Sequence, residues 1–502
     1  MKMGAALSYI VIAVNIVVGI LYTPFMLRML GAEEYGLYSL ANSVIAYLTL
    51  LDLGFGNAII RYTSKFRVEG KIREQSEMFG MFMRVYLIVG LLALLVGAGL
   101  VVNIEALFSG SMSGGEIDKL RILMILMAFN LAFTFPLSIY GSIIIAYEKF
   151  IFPRVISIIR LILNPVVMTI VLIFGYKSIA LVIVTTLFNL ITLLFNRWFC
   201  RKRLNIKILY TKFNWSLMRE VSIYSFWIFL NIIMDKIYWS SGQFILGIYK
   251  GSVAVAVYSI AIYLQSFYMM FSTAISGVFL PRVTAMVASG RSEREVSDLF
   301  IRTGRVQYII MAFILTGFTL FGRSFVTLWA GEEYSEAYTM ALIFLVPLTV
   351  PLIQNLGITI LQARNQLKFR SILYISIALL SLLLAILLTP RYGGIGCAIA
   401  TASALLLGQI IIMNIYYKRS VAIDIPRFWR EIGGMSIAPA IILVIGYYIM
   451  QEVEIVTIGE FLLSTIIFSI VYLPAFWHLS MNHSERELFI TPIRKFINRA
   501  TQ

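Results

Sequence analysis

The stretch NIVVGILYTPFMLRMLG, Asn15 to Gly31, is apolar along most of its length and lies without a gap on NIIMDKIYWSSGQFILG, Asn231 to Gly247, 216 positions further on. Asn, Ile, Tyr, Leu and Gly coincide in the two. Working outward, YSLA (Tyr38 to Ala41) meets YSIA (Tyr258 to Ala261) at an offset of 220, and EGKIREQSEMF meets SGRSEREVSDLF with Gly70 over Gly290 at the same offset. IIIAYEKFIF and ITILQARNQLKF place Ala146 and Phe152 over Ala363 and Phe369, 217 apart. One such match between apolar segments carries little. An offset that holds within four residues over four segments indicates an internal repeat.

Composition settles the solvent. Of 502 residues, 60% are hydrophobic and 13% charged, with a mean hydropathy of +0.89, which no water-soluble chain matches. Apolar runs long enough for a bilayer core of ~30 Å recur throughout. They predict an all-α polytopic membrane protein of about 14 transmembrane helices, near residues 7–28, 37–60, 78–103, 120–146, 154–174, 179–198, 221–246, 253–279, 304–329, 338–361, 370–389, 395–416, 433–451 and 458–477. The termini and the loops after even-numbered spans hold 31 of the 41 Lys and Arg residues, the opposite loops hold 7, and Arg84, Arg160 and Lys236 fall within spans. Both termini are therefore expected in the cytoplasm. The net charge of +16 follows from that bias and from attraction to anionic lipid, so no nucleic-acid partner is read from it. The first span is longer than a signal-peptide core and is expected to stay as an uncleaved anchor. Cys200 and Cys397 fall on opposite sides, so no disulfide is expected.

No loop exceeds about thirty residues, too short for a soluble catalytic or nucleotide-binding domain, and no phosphate-loop motif occurs. The only histidines, His478 and His483, lack ligand-spaced acidic or cysteine neighbours, which leaves metal catalysis and histidine-based acyl transfer without residues. The longest outer loop, NIEALFSGSMSGGEIDK, is thin for a glycan polymerase. Transport is what remains. Six helices per repeat is an even number, so the copies should be related by a pseudo-twofold along the membrane normal, with a cleft between two lobes that rock about a central site. Residues 1–215 would form the first lobe, 216–420 the second, and 421–502 two further helices with a tail.

MLGAEEYGLYSLANSVIAYLTLLDLGFGNAIIRYTSK (Met29 to Lys65), GITILQARNQLKFRSIL (Gly357 to Leu373) and the fourteen-span layout resemble the polysaccharide-transporter branch of the multidrug, oligosaccharidyl-lipid and polysaccharide (MOP) flippase superfamily, most closely the O-antigen (Wzx-type) flippases. The resemblance covers essentially the whole chain. It implies translocation of a polyprenyl-diphosphate-linked glycan from the cytoplasmic to the outer leaflet of the inner membrane, with the two added helices guiding the lipid tail. The partners it implies are that glycan, membrane lipid and other polysaccharide-assembly proteins. The alternatives are an ion-coupled multidrug or small-molecule exporter of the same superfamily, a membrane-embedded glycan polymerase or ligase, and a scaffold that recruits glycosyltransferases through RWFCRKRLNIKILYTK (Arg197 to Lys212).

Ionisable groups deep in a span cost about 2.5–3.5 kcal/mol on insertion scales and usually face a bundle interior or a watery cavity. Asp52, Asp235 and Lys236 are the deepest. Asn231, Asp235 and Tyr238 are spaced i, i+4, i+7 on one helix face, and Asn15, Gly19 and Tyr22 form the corresponding face of the first repeat; the two stripes are expected to line the cleft, with hydrogen-bonding glue between helices as the other reading of the asparagines and tyrosines. Arg84, Arg160 and Lys236 are candidates for the substrate's diphosphate, although Arg84 and Arg160 also lie within snorkelling reach of the interface. Arg28 and Arg61 are read as interfacial anchors. No cofactor is expected beyond a coupling ion, H+ or Na+, for which Asp52 and Asp235 are the carboxylates. Gly54 and Gly56, in LLDLGFGNAIIRYTSK (Leu50 to Lys65), are hinge candidates; the repeat sets Ser272 against Asp52 and Gly277 against Asn57, so the small residues look shared and the carboxylate does not. The tail RELFITPIRKFINRA (Arg486 to Ala500) reads as an interfacial amphipathic helix.

Overall fold

The computed structural model describes residues 2–289, 292–364, 366–487 and 490–491, and among these every regular element is helical. The helices are α1 (Lys2–Leu48), α2 (Phe55–Val68), α3 (Ile72–Val102), α4 (Ile104–Phe108), α5 (Gly114–Ala146), α6 (Ile151–Ile173), α7 (Ser178–Lys202), α8 (Trp215–Ala288), α9 (Glu293–Trp329), α10 (Glu336–Ile353), α11 (Leu356–Ala363), α12 (Leu367–Leu405), α13 (Met413–Ser420), α14 (Ile425–Met435), α15 (Ile437–Glu452) and α16 (Ile458–Leu479). Ten stretches are long and apolar enough to cross a membrane, and the bent pair α14 and α15 makes up to eleven. Three of these stretches contain a glycine with non-helical backbone angles: Gly31 (φ 75°), Gly251 (φ 80°) and Gly393 (φ 56°). Positive φ is open to glycine at little cost, and division at the three breaks turns eleven candidates into the fourteen segments expected.

The breaks carry the repeat as well. Gly31 and Gly251 are 220 residues apart, and Gly175 (φ 83°), between α6 and α7, precedes Gly393 by 218. The starts of α6 and α12 are 216 apart. The offset seen in weak sequence matches is thus the offset of the turns and helix starts themselves.

The chain packs as two compact units, Met1–Ser259 with Ala385–Cys397, and Ile260–Leu384 with Ala398–Gln502. In the first, α2, α3 and α5 share an aromatic core: Phe55 meets Phe82 at 5.8 Å between ring centroids, and Tyr86 stacks on Phe135 at 6.5 Å. In the second, Phe300 of α9 packs on Phe428 of α14 at 5.2 Å, and Phe313 lies 5.4 Å from Phe468 of α16. Apolar side chains are plentiful outside these cores. On α6 only Met168 and Leu172 are buried, while Ile173, Val166 and Ile159 are open; α16 likewise exposes Leu462, Ile466 and Ile470. Surfaces of this kind would drive association in water and are at home against lipid tails. The protein is integral to a membrane.

Two features depart from the sequence reading. The second span is not one helix: after α1 the chain makes a 3-10 turn at Thr49–Asp52, Leu53 and Gly54 adopt left-handed angles (φ 52° and 75°), and α2 starts afresh. The counterpart in α8 runs on without interruption through residues 272 to 277, so the break belongs to the first repeat alone. The basic run Arg197 to Lys212 is not a free loop either. Its first part completes α7; the rest lies along α3, where the Leu209 N–H donates to the Ser76 carbonyl at 3.1 Å and Gly80 leaves room for the Leu209 carbonyl, 2.0 Å from where a Cβ would stand. Cys200 and Cys397 are buried free thiols. The tail from residue 492 onward lies outside the described residues.

Candidate functional site

Asp52 ends the 3-10 turn, and the reason for a carboxylate there is local. It sits at the amino-terminal end of α2, where the first helical N–H groups have no carbonyl partner and the helix dipole favours negative charge; the amides of Gly54 and Gly56 lie against it. The Tyr86 hydroxyl donates to Asp52 Oδ1 at 2.8 Å. Together these contacts offset a left-handed Leu53, which costs about 1–2 kcal/mol. Gly54 supplies the cap at φ 75°. Gly56 is an ordinary helical residue, and a Cβ on it would meet only Ser142 Oγ at 3.5 Å and Asp52 Oδ2 at 4.0 Å.

A second polar group lies inside the membrane-crossing helices α5, α6 and α7. Asn189 of α7 donates from its amide to Asn130 Oδ1 at 2.7 Å and to Thr134 Oγ1 at 2.8 Å. Its own oxygen faces Arg160 Nη1 at 3.5 Å, a weak contact by hydrogen-bond standards. Asn164, one turn beyond Arg160 on α6, has a buried Oδ1 without a hydrogen-bond partner among the described residues. Arg160 is half-buried, and no carboxylate among the described residues pairs with it. A guanidinium has five N–H donors in a rigid fork suited to carboxylate or phosphate, and the described residues give Arg160 a single long contact. The sequence reading named Arg160 and missed its neighbours, although Arg160 and Asn164 at i, i+4 share a helix face.

The other sequence-derived residues are dispersed. Arg84 is half-buried, with Cζ 5.5 Å from the Tyr210 ring centre, a cation–π placement. Lys236 is half-buried and Asp235 exposed. Tyr238, at 2% exposure, is inside the fold; i to i+3 leaves about 60° between its side chain and that of Asp235. Asn15 is exposed, and Tyr22 is half-buried, its hydroxyl without a hydrogen-bond partner among the described residues. The side chain of Asn231 lies outside the described residues.

At the end of the first unit away from the basic loops, buried Glu34 takes Lys119 at 2.6 Å and the Ser178 hydroxyl at 2.5 Å. There the α8 turn is tightly seated. Ser111 Oγ donates to the Gly247 carbonyl at 2.7 Å, Ser252 bonds the Glu116 carboxylate, and a Cβ on Gly36 would stand 1.9 Å from the Ser252 carbonyl oxygen. In the second unit, α9, α15 and α16 enclose an apolar cavity of about 300 Å³ lined by Phe321, Ile445, Gly446, Ile467 and Phe468.

The architecture matches solved membrane transporters. A structure described as lipid II flippase MurJ, inward closed conformation, superposes with a TM-score of 0.73 at 15% identity, covering 98% of this chain and 100% of that one. An inward-facing multidrug resistance MATE family transporter of the MOP superfamily gives 0.58 at 14% identity over 80% and 98%. The fold is therefore that of the MOP-superfamily transporters. The chain belongs to the polysaccharide biosynthesis protein family, whose model matches residues 3–287. Similar relatives are a putative O-antigen transporter of Shigella flexneri, 20% identical over 78% of this chain and 92% of that protein, and the uncharacterized membrane protein EpsK of Bacillus subtilis (strain 168), 20% identical over 94% of each.

Proposed function

We propose that the protein is a flippase that carries a polyprenyl-diphosphate-linked oligosaccharide from the cytoplasmic to the outer leaflet of the inner membrane, for a cell-surface polysaccharide, with both termini in the cytoplasm. Alternating access would come from rocking of lobes at 1–215 and 216–420, with 421–502 added outside the repeat. The observation that carries the reading is Arg160, a half-buried intramembrane cation set among amide groups with no carboxylate among the described residues to neutralise it. Such a group is costly unless an anion arrives, and a diphosphate is matched by the guanidinium fork. The apolar cavity between α9, α15 and α16 supports a place for the lipid tail on the added helices.

Arg84 and Lys236 are further contacts for the diphosphate in this scheme, and Asn15, Tyr22, Asn231 and Tyr238 contribute the polar stripes. Asp52, which Tyr86 and the start of α2 hold in place, and Asp235 are the two carboxylates for H+ or Na+ coupling. Deletion of the gene tests the function: lipid-linked glycan should accumulate on the cytoplasmic face and return to normal on complementation. Unchanged leaflet distribution in the deletion would refute it. Transport in vesicles with imposed gradients tests coupling, and an Asp235→Asn variant that responds to proton and sodium gradients as the parent does would remove Asp235 from it.

A further inference from the structure

The face that we assign to the cytoplasm carries, in the first unit, a crevice of about 310 Å³ that neither the diphosphate site nor the lipid cavity uses. One wall is the turn between α2 and α3 with the first turns of α3, and the other is the strap of residues 211 to 214 with the first turn of α8. The strap is held by the Leu209–Ser76 hydrogen bond and by the close approach at Gly80. Asn214 caps α8 by accepting from the Leu217 N–H at 3.0 Å. The crevice is thus framed by fixed backbone.

Its chemistry is mixed. Glu74, Glu77, Lys71 and Lys212 stand at the rim, two charges of each sign, while Phe66, Met81 and Leu217 supply apolar surface. Lys71 is paired with Glu69 at 2.7 Å; the ammonium holds the Glu69 carboxyl below its ordinary value and the carboxylate raises Lys71 in turn, so both stay charged at neutral pH. A site for a bare diphosphate would carry a cation excess, and a site for a lipid tail would be apolar. Balanced donors and acceptors over an apolar floor suit a neutral polyhydroxylated ring, whose hydroxyl edges seek hydrogen bonds while its C–H faces seek apolar contact. The volume lies at the small end of the ~300–1,000 Å³ typical of ligand sites, room for one or two hexose rings.

Phe66, in the crevice wall, belongs to α2, which runs back from this turn towards the membrane interior. Phe66 touches Tyr62 at 6.5 Å between rings, Tyr62 donates its hydroxyl to Glu220 Oε1 at 2.9 Å, and Arg61 lies over the Tyr224 ring at 4.4 Å. Along α2 from the turn inward, the polar crevice is thus followed by buried Tyr62 and exposed Arg61. A lipid-linked glycan likewise presents its sugar on the water side of its diphosphate.

We propose that this crevice binds a hexose of the glycan head group on the cytoplasmic side, while Arg61 over the Tyr224 ring meets the adjoining diphosphate on its way to Arg160. The inference rests on the flippase reading and makes the crevice the place where the sugar is recognised. The test is calorimetric binding of farnesyl diphosphate, and of farnesyl diphosphate bearing glucose, galactose, N-acetylglucosamine or N-acetylgalactosamine, to the full chain in lipid nanodiscs. At least one sugar-bearing compound should bind about tenfold tighter than farnesyl diphosphate, the gain of one or two net hydrogen bonds. The ratio should fall towards one in Leu217→Trp, which fills the crevice, and in the milder pair Glu74→Gln and Lys212→Ala, with thermal unfolding checked for each. Binding that is blind to the sugar, or a ratio unchanged in folded variants, would overturn the crevice and leave the flippase standing. Failure of every compound, farnesyl diphosphate included, would strike both.

Discussion

Two arginines, one in each unit, show how differently the same side chain can be used inside a membrane protein. Arg305 of α9 is buried and saturated: Nη1 donates to Glu431 Oε2 at 2.8 Å, Nη2 to Glu485 Oε2 at 3.0 Å and to the Ser480 carbonyl at 3.4 Å, and Nε bonds Glu485 as well. These partners follow Arg305 in sequence by 126 to 180 residues and tie α14 and the segment after α16 to α9. Arg160 has one amide contact at 3.5 Å. A satisfied fork is a fastening. An unsatisfied one is where we propose that an anion goes.

The largest effect on folding should come from breaking the fastening. Arg305→Leu leaves Glu485, 2% exposed, buried without its cation and should destabilise the protein by about 3–5 kcal/mol, read as lost abundance in the membrane and a lowered unfolding midpoint in detergent. Arg160→Leu should do the reverse: export reduced by about 10- to 100-fold, the loss of a charge-assisted contact, with abundance unchanged. A variant that is unstable and poorly expressed would place Arg160 with Arg305 and erase the contrast. Asn189→Ala sharpens it further. Removal of that amide leaves Asn130 and Thr134 without their partner at a cost of about 1–2 kcal/mol, and export should fall less than in Arg160→Leu. The smallest effects lie at the α2 break, where Tyr86→Phe should cost about 1 kcal/mol by freeing Asp52 and Gly56→Ala should be neutral or stabilising by up to ~1 kcal/mol, both measured by thermal unfolding.

Much of the fold was legible because span length and loop charge are written directly in composition. Fourteen segments could be laid out from apolar runs, and the break glycines at 31, 251 and 393 fall in the expected loops. The interruption at Thr49–Asp52 was not legible, since a 3-10 turn and an α-helix use the same apolar residues, and the partner that justifies Asp52 lies 34 residues away on α3. Arg305 illustrates the same limit: it was counted as one more basic loop residue, because nothing in sequence ties it to Glu485. For the candidate site, Arg160 stood out as a basic residue inside an apolar span, whereas the burial of Tyr238 is set by packing that helical spacing does not show. The hydrogen bonds joining Asn130, Thr134 and Asn189 span 55 and 59 residues, beyond the reach of helical periodicity.

The central claim is that Arg160 acts on the substrate and is dispensable for the fold. Its most direct test is the leaflet distribution of lipid-linked glycan in cells whose only copy of the gene carries Arg160→Leu, at a protein level matched to the parent. The account predicts glycan trapped on the cytoplasmic face while the variant unfolds within about 1 kcal/mol of the parent. A parental leaflet distribution with Arg160 absent would contradict it.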